Sequence, residues 1–162
     1  IYINPEDEEA TNFRLFERWK TIEANEVRYK EYYLEGAEIV LVGFGTAGRV
    51  AFSAVRSARA QGLPVGLLRP ISLSPFPSAQ LAEIAKTAQT ILVIEMNAGQ
   101  MLHDVQRAVA GRCPVQFYGR MGGVVPFPNE ILDQVRLLLK TKPAVYTDPR
   151  EAWIRQMKEI LN

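Results

Sequence analysis

Four short apolar runs, each followed by a helical pattern, constrain the fold of this chain more than any other feature. The runs span residues 39–43, 64–68, 90–95 and 115–118. The first of them, 39–43, is an uninterrupted apolar run, which is typical of a strand that is covered on both faces. Apolar residues at helical spacing follow them at about 47–61, 77–88, 100–110 and 128–140. The alternation predicts an α/β fold with three α/β/α layers, a mostly parallel sheet and right-handed crossovers.

The two ends of the chain carry further helical patterns. A helix is predicted over 6–26, where four apolar residues recur at helical spacing: Phe13, Phe16, Trp19 and Ile22. A short half-buried strand is expected over 27–33. Asp148 and Pro149 predict the start of a last helix, whose stripe around Trp153 is typical of a core or subunit contact. We therefore expect a connecting helix and short edge strand over 1–37, an α/β domain over 38–140 and a helical extension over 141–162.

Composition excludes several classes of protein. The chain has 162 residues, which is the length of one domain, with one cysteine and one histidine. This excludes a disulfide framework, a cysteine-held zinc site and an all-cysteine iron–sulfur cluster within the chain, and it disfavours a histidine-rich metal site. No apolar run approaches the roughly 18 residues that span a bilayer, and the polar, acidic first residues argue against a signal peptide. Because the chain starts at Ile1 and not at Met, we expect a piece of a longer polypeptide.

Charge is unevenly distributed along the chain, although the net charge is only +1. Residues 1–38 hold ten acidic and five basic side chains, a local charge of −5. Residues 39–162 hold eight acidic and fourteen basic side chains, a local charge of +6. This pattern indicates either a solvated helix beside an ordinary surface, or a basic face that meets an acidic partner or an anion.

A glycine-rich turn follows the first buried strand. Gly43-Phe-Gly45-Thr-Ala-Gly48 is a literal GxGxxG motif between a strand and a helix, and such a turn can hold a pyrophosphate at the helix N-terminus. Dinucleotide-binding domains also need an acidic residue about 20 positions later, where this chain has Arg69. The motif therefore predicts either a tight strand-to-helix turn or, as the alternative function, a free-standing NAD(P)-binding oxidoreductase domain.

Charged residues follow three of the predicted parallel strands. Arg69, Glu95 and Arg120 stand at carboxyl ends of strands, where open parallel sheets bind ligands and partners. A carboxylate between two guanidinium groups stays ionised and accepts bidentate hydrogen bonds. Two hypotheses remain open here: an anion or partner site, or a charge cluster that holds three loops together.

The other candidate residues favour structural roles. Two Pro-Phe-Pro segments, 75–77 and 126–128, are stiff helix starts that present Phe76 and Phe127 as core staples or, second, as exposed contacts. His103 has no serine or cysteine spaced to form a catalytic triad with it. Cys113, before a strand, is expected to be an inert buried thiol.

Longer motifs resemble a known family. They are Val42-Gly-Phe-Gly-Thr-Ala-Gly-Arg49, Gly66-Leu-Leu-Arg-Pro-Ile71, Pro75-Phe-Pro77, Glu95-Met-Asn-Ala-Gly-Gln-Met101 and Phe117-Tyr-Gly-Arg-Met-Gly-Gly123. Together they are similar to the C-terminal domain of the alpha subunit of 2-oxoacid:ferredoxin oxidoreductases. The 2-oxoisovalerate (3-methyl-2-oxobutanoate dehydrogenase) type resembles the chain most, with the 2-oxoglutarate type as the second candidate. The resemblance covers about residues 10–140.

The resemblance implies a transketolase C-terminal-like domain with a five-stranded sheet whose first strand is antiparallel. It implies a cytoplasmic enzyme complex that decarboxylates a 2-oxoacid on thiamine diphosphate with Mg²⁺, and passes electrons through iron–sulfur clusters to ferredoxin and the acyl group to coenzyme A. Its partners would be the remaining alpha-chain domain and the beta and gamma/delta subunits, with neither nucleic acid nor a membrane involved. The chain lacks the family's GDG…N motif and its cluster cysteines, so no catalytic, cofactor-binding or metal-binding residue is expected here. Interface or anion-crevice candidates are Arg69, Glu95, Asn97, Gln100, Arg120, Gly122 and Gly123.

Overall fold

A computed structural model describes residues 3–145 and 148–161. Ile1 and four further residues of the predicted segments 1–37 and 141–162 (2, 146, 147 and 162) therefore lie outside the described residues. The helices are α1 Pro5–Asn25, α2 Gly45–Ala60, α3 Ser78–Ile84, α4 Met101–Val109, α5 Pro128–Thr141 and α6 Pro149–Leu161. The strands are β1 Tyr29–Tyr32, β2 Ile39–Gly43, β3 Val65–Pro70, β4 Thr90–Glu95 and β5 Val115–Gly119.

One five-stranded sheet organises the chain in the order β1-β3-β2-β4-β5. Strand β1 runs antiparallel to β3, with Tyr29 opposite Pro70, and the other neighbours are parallel. Helix α2 packs against α5, and α3 packs against α4, so that the sheet lies between two helix pairs. The predicted α/β/α fold with a mostly parallel sheet is confirmed.

The core forms where the central strands are covered on both faces. Every residue of the central strands β2 and β4 is buried, because helices occupy both sides of the sheet. The edge strand β5 is also buried throughout, and α6 packs against it. Helix α3 is shorter than predicted: it ends at Ile84, and the next residues form tight turns in which Lys86 N donates to Glu83 O at 3.1 Å.

Helix α6 is held against β5 by one large side chain. Trp153 is only 6% exposed, and its Nε1 donates a hydrogen bond of 2.8 Å to Gly119 O. Its ring meets Phe117 edge-on, with 5.0 Å between the ring centroids. The predicted start of this helix is confirmed, since Asp148 Oδ1 accepts a 2.9 Å hydrogen bond from Arg150 N.

Helix α1 is an arm with little attachment to the domain. The predicted helix is confirmed, but it buries none of its side chains. Within the described part of the chain, no strand or other helix packs substantially against it. None of the helices among the described residues is long and apolar enough to cross a bilayer.

Candidate functional site

The sheet has one topological switch point, between β2 and β4. From there the chain continues to β3 on one side and to β5 on the other. At such a point a crevice opens outside the carboxyl ends of the strands. A crevice of about 460 Å³ lies here, between the loop after β2 and the loop after β4. Predicted candidates Glu95, Asn97 and Gln100 line it together with Phe44 and Thr46.

In the loop after β4, two polar side chains accept hydrogen bonds from nearby backbone N–H groups. Glu95 is buried, and its two carboxylate oxygens accept hydrogen bonds from Leu102 N at 2.9 Å and Met101 N at 3.0 Å. Asn97 Oδ1 accepts from Gly99 N at 2.7 Å and from Gln100 N at 3.0 Å. The first turn of α4 therefore already holds a carboxylate of its own chain, at the place where a bound anion would otherwise sit.

The glycine-rich turn is needed for close packing between β2 and α2. Gly45 has a φ of +56°, a conformation that favours glycine. A Cβ added to Gly48 would collide with the carbonyl oxygen of Gly43 and lie 3.1 Å from Arg69 Cγ. These contacts explain the motif as a tight strand-to-helix turn, and with Arg69 in place of an acidic residue they give no support to dinucleotide binding.

The predicted charge cluster does not form. Arg69 is the penultimate residue of β3, which β2 separates from β4 and Glu95. Arg120 Nη1 lies 2.9 Å from Glu130 Oε1, so this guanidinium pairs with α5 and not with Glu95. Among the described residues, no ion pair joins Glu95 to Arg69 or to Arg120. The prediction of a carboxylate between two guanidiniums was wrong, because strand order and backbone donors at α4 were not visible in the sequence.

Arg120 instead fixes the base of the loop that contains Gly122 and Gly123. Its partner Glu130 also accepts a 2.7 Å hydrogen bond from Phe127 N, which closes the loop at the start of α5. Burial raises the pKa of nearby Tyr118, and a hydrogen bond with Arg120 opposes this effect. The loop is thereby held at both ends while its middle is exposed.

The loops at the carboxyl ends of the parallel strands form an uncharged face, which comprises residues 44–46, 71–78, 96–100 and 121–129. None of these 25 residues is charged, although 23% of the chain is. Large apolar side chains are exposed on the face at Phe44, Ile71, Leu73, Met121, Val124, Val125 and Phe127. Depletion of charge with exposed aromatic and Met side chains is typical of the core of a protein interface. The signal was present in the sequence as four charge-free stretches after the parallel strands, and the structure shows which of their side chains are exposed there.

Three other candidate residues have structural surroundings. Phe76 packs partly buried against the core, as a staple, whereas Phe127 is 67% exposed. Cys113 is buried, and burial raises the pKa of its thiol to about 11, as expected of an inert thiol. His103 is exposed on α4.

Fold and site together define a three-layer α/β domain in which the loop after β4 is closed by internal hydrogen bonds and the switch-point loops are part of the uncharged face. The chain belongs to the pyruvate:ferredoxin oxidoreductase core domain II family, whose model matches residues 37–131.

Curated relatives support the same family. The ketoisovalerate oxidoreductase subunit VorB of Methanothermobacter marburgensis is 46% identical over 136 residues, which cover 84% of this chain and 38% of that protein. The 2-oxoglutarate synthase subunit KorA of the same organism is 31% identical over 132 residues, covering 82% of this chain and 35% of that protein. The chain thus spans little more than a third of the length of these relatives.

Solved structures show the same fold. A 2-oxoglutarate:ferredoxin oxidoreductase from Magnetococcus marinus, solved with 2-oxoglutarate, coenzyme A and succinyl-CoA bound, matches with a TM-score of 0.72 and 21% identity, over 86% of this chain and 24% of that chain. A split-gene transketolase, described as an inactive beta4 tetramer, matches with a TM-score of 0.59 and 19% identity, over 72% and 42% of the two chains. The expected transketolase-like fold is confirmed.

Residues of the crevice do not fit thiamine diphosphate with Mg²⁺. The carboxylates lining it are Glu95, whose oxygens are engaged by α4, and Asp104 on the same helix. Mg²⁺ needs several oxygen ligands around one point, and no group of three or more potential metal-ligating side chains occurs in the described ranges.

Proposed function

We propose that this chain is a packing domain of the alpha subunit of a ketoisovalerate:ferredoxin oxidoreductase, and that the catalytic groups lie in other parts of the complex. Such a complex converts a branched 2-oxoacid to its acyl-CoA by oxidative decarboxylation and reduces ferredoxin. The sequence identities favour ketoisovalerate as the substrate, since the chain is 46% identical to VorB and 31% identical to KorA. Thiamine diphosphate, Mg²⁺, iron–sulfur clusters and coenzyme A would be bound by the remaining alpha-chain domain and by the beta and gamma/delta subunits, in a cytoplasmic enzyme.

The uncharged face is the observation that carries the packing role. Burying Phe127 and Met121 against another subunit or domain removes their apolar surface from water, at about 25 cal/mol for each Å². No charged side chain of these loops would have to be desolvated in that contact. The interface candidates Asn97, Gln100, Gly122 and Gly123 lie in the same loops, while Arg69 and Arg120 border them. We propose that the division into segments 1–37, 38–140 and 141–162 also follows this role, with 38–140 as the docking body.

Affinity purification of the tagged chain from its own cells tests both parts of the proposal. We expect co-purifying subunits that reduce ferredoxin with ketoisovalerate and coenzyme A, with a higher kcat/KM than with 2-oxoglutarate. A chain that co-purifies without any 2-oxoacid-dependent ferredoxin reduction would refute the assigned activity. A preference for 2-oxoglutarate would refute the assigned substrate.

A variant pair tests the face separately. Phe127→Asp places a charge on the uncharged face, and Ile154→Asp places one on α6 at a side chain that is 45% exposed. We expect Phe127→Asp to lose the co-purifying subunits and Ile154→Asp to keep them, with both variants melting like the parent chain. Normal assembly of Phe127→Asp would show that this face is not the contact.

A further inference from the structure

Helix α1 exposes an aromatic pair, Phe13 and Phe16, among the described residues. Phe13 is 65% exposed and Phe16 is 57% exposed, and no described helix or strand packs substantially against α1. Exposed rings of this size are unfavourable in water. Most of the stability of a helix in a protein comes from packing of its apolar face, and α1 buries none of its side chains among the described residues. We therefore expect another surface to pack against Phe13 and Phe16.

Charges of opposite sign lie at the two ends of this aromatic patch. Glu9, Phe13, Phe16 and Lys20 are spaced by four, three and four residues, so they share one face of α1. Lys20 Nζ lies 5.0 Å from the centroid of the Phe16 ring and 2.8 Å from Glu17 Oε1, with most of its side chain in solvent. Arg18 lies on the opposite side of the helix. One end of the face is therefore acidic and its centre is aromatic, while the other end places Lys20, paired with Glu17, beside Glu23.

This face is complementary to itself. The midpoint of Phe13 and Phe16 in sequence falls between residues 14 and 15, and the midpoint of Glu9 and Lys20 falls at the same place. A two-fold axis there brings Phe13 against Phe16, and Glu9 against Lys20, of a second copy, each contact occurring twice. We infer that α1 binds α1 of a second copy of this chain as an antiparallel helix pair. This inference goes beyond the packing role proposed above and does not depend on it.

The charge distribution along α1 selects the antiparallel arrangement. Residues 6–9 are all acidic, so a parallel pair would place the two acidic ends together. The antiparallel axis separates them, although it also brings Glu6 opposite Glu23 of the second copy. That like-charge pair makes a further prediction, because Glu23→Lys should tighten the pair by a few-fold in Kd.

Sedimentation equilibrium of the full chain at low salt tests the pairing. We expect dimers with a Kd on the order of 10–100 µM, because one helix face is a small interface. Glu9→Lys and Lys20→Glu each turn two attractive pairs into two repulsive ones, and each should raise Kd about tenfold. Arg18→Glu makes the same charge change on the opposite side of α1 and should leave Kd unchanged. Circular dichroism checks that the variants keep their helix content.

Mixing the two charge variants gives the decisive result. In a mixed pair, the lysine of Glu9→Lys faces the glutamate of Lys20→Glu, and the unchanged Glu9 and Lys20 face each other. An equimolar mixture should therefore recover the affinity of the parent chain. A monomeric parent at concentrations roughly tenfold above the expected Kd would overturn the inference. A mixture no tighter than the single variants, or an equal effect of Arg18→Glu, would overturn it too.

Discussion

Glu95 provides a direct test of whether the crevice carboxylate is structural. Its two oxygens accept hydrogen bonds of 2.9 and 3.0 Å from the first turn of α4, and the side chain is buried. A hydrogen bond to a charged group contributes about 1.5–3 kcal/mol. Glu95→Ala loses both bonds and leaves two buried N–H groups without an acceptor. We expect its free energy of unfolding to fall by about 3–5 kcal/mol.

A conservative change at the same position should give an intermediate loss. Glu95→Gln keeps one acceptor oxygen but turns an amide NH₂ towards a backbone donor, so we expect a loss of about 1.5–3 kcal/mol. Glu83 supplies the matched control, because it is exposed and pairs with Lys86 at 2.7 Å. Such a surface pair contributes about 0–1 kcal/mol, so Glu83→Gln should change stability little.

Urea denaturation followed by circular dichroism measures these differences, and hydrogen exchange locates them. The amides of Met101 and Leu102 should lose protection in both Glu95 variants before the central strands do. The reasoning is refuted if Glu95→Gln unfolds within about 0.5 kcal/mol of the parent chain. It is also refuted if protection at these two amides is unchanged, because then the carboxylate does not hold the helix.

Three further predictions concern packing and protonation. Trp153→Ala should lower the free energy of unfolding by about 3–5 kcal/mol, since it removes a buried ring and its hydrogen bond to Gly119 O; Ile154→Ala, at an exposed neighbour, should change it little in the same urea titration. Gly48→Ala should cost about 1–3 kcal/mol by thermal melting, because its Cβ meets the backbone of Gly43, and a parental melting temperature would contradict the close packing. Burial raises the pKa of Cys113 from 9.0 to about 11, so the folded chain keeps a proton that the unfolded chain loses, and stability should fall by about 2–3 kcal/mol as the pH rises from about 9 through 11. Cys113→Ala should flatten that part of the pH profile, and an unchanged slope would assign it to other groups.

Much of the fold could be predicted because its signals are local. The limits of β2 and β4 agree with the predicted 39–43 and 90–95, since a strand covered on both faces has a mostly apolar run between its ends. Helix α3 was predicted four residues too long at its end, because apolar spacing continues past Ile84 while the backbone tightens into turns. The exact end of a helix depends on individual backbone hydrogen bonds, which the spacing of apolar residues in the sequence does not reveal.

The candidate site could be predicted only in part. Position at the carboxyl end of a parallel strand follows from βα alternation, and so Glu95, Asn97 and Gln100 were placed at the crevice that the structure contains. The ion-pair partner of Arg120 could not be predicted in the same way. Arg120 pairs with Glu130, ten residues later, because the loop between them folds back on the start of α5.

The sequence by itself determined the fold class, the βα units and the family, since these depend on apolar periodicity and on motifs that are continuous along the chain. Tertiary structure alone decided which loops share an edge, which carboxylate is already hydrogen-bonded and which aromatic residues remain uncovered. Phe13 and Trp153 both lie in helical apolar patterns in sequence, but Trp153 packs beside Gly119 and Phe117, while Phe13 stays 65% exposed. The physical reason is that a side chain is buried or hydrogen-bonded only where another surface contacts it. Strand order and helix placement bring such surfaces together from distant parts of the sequence.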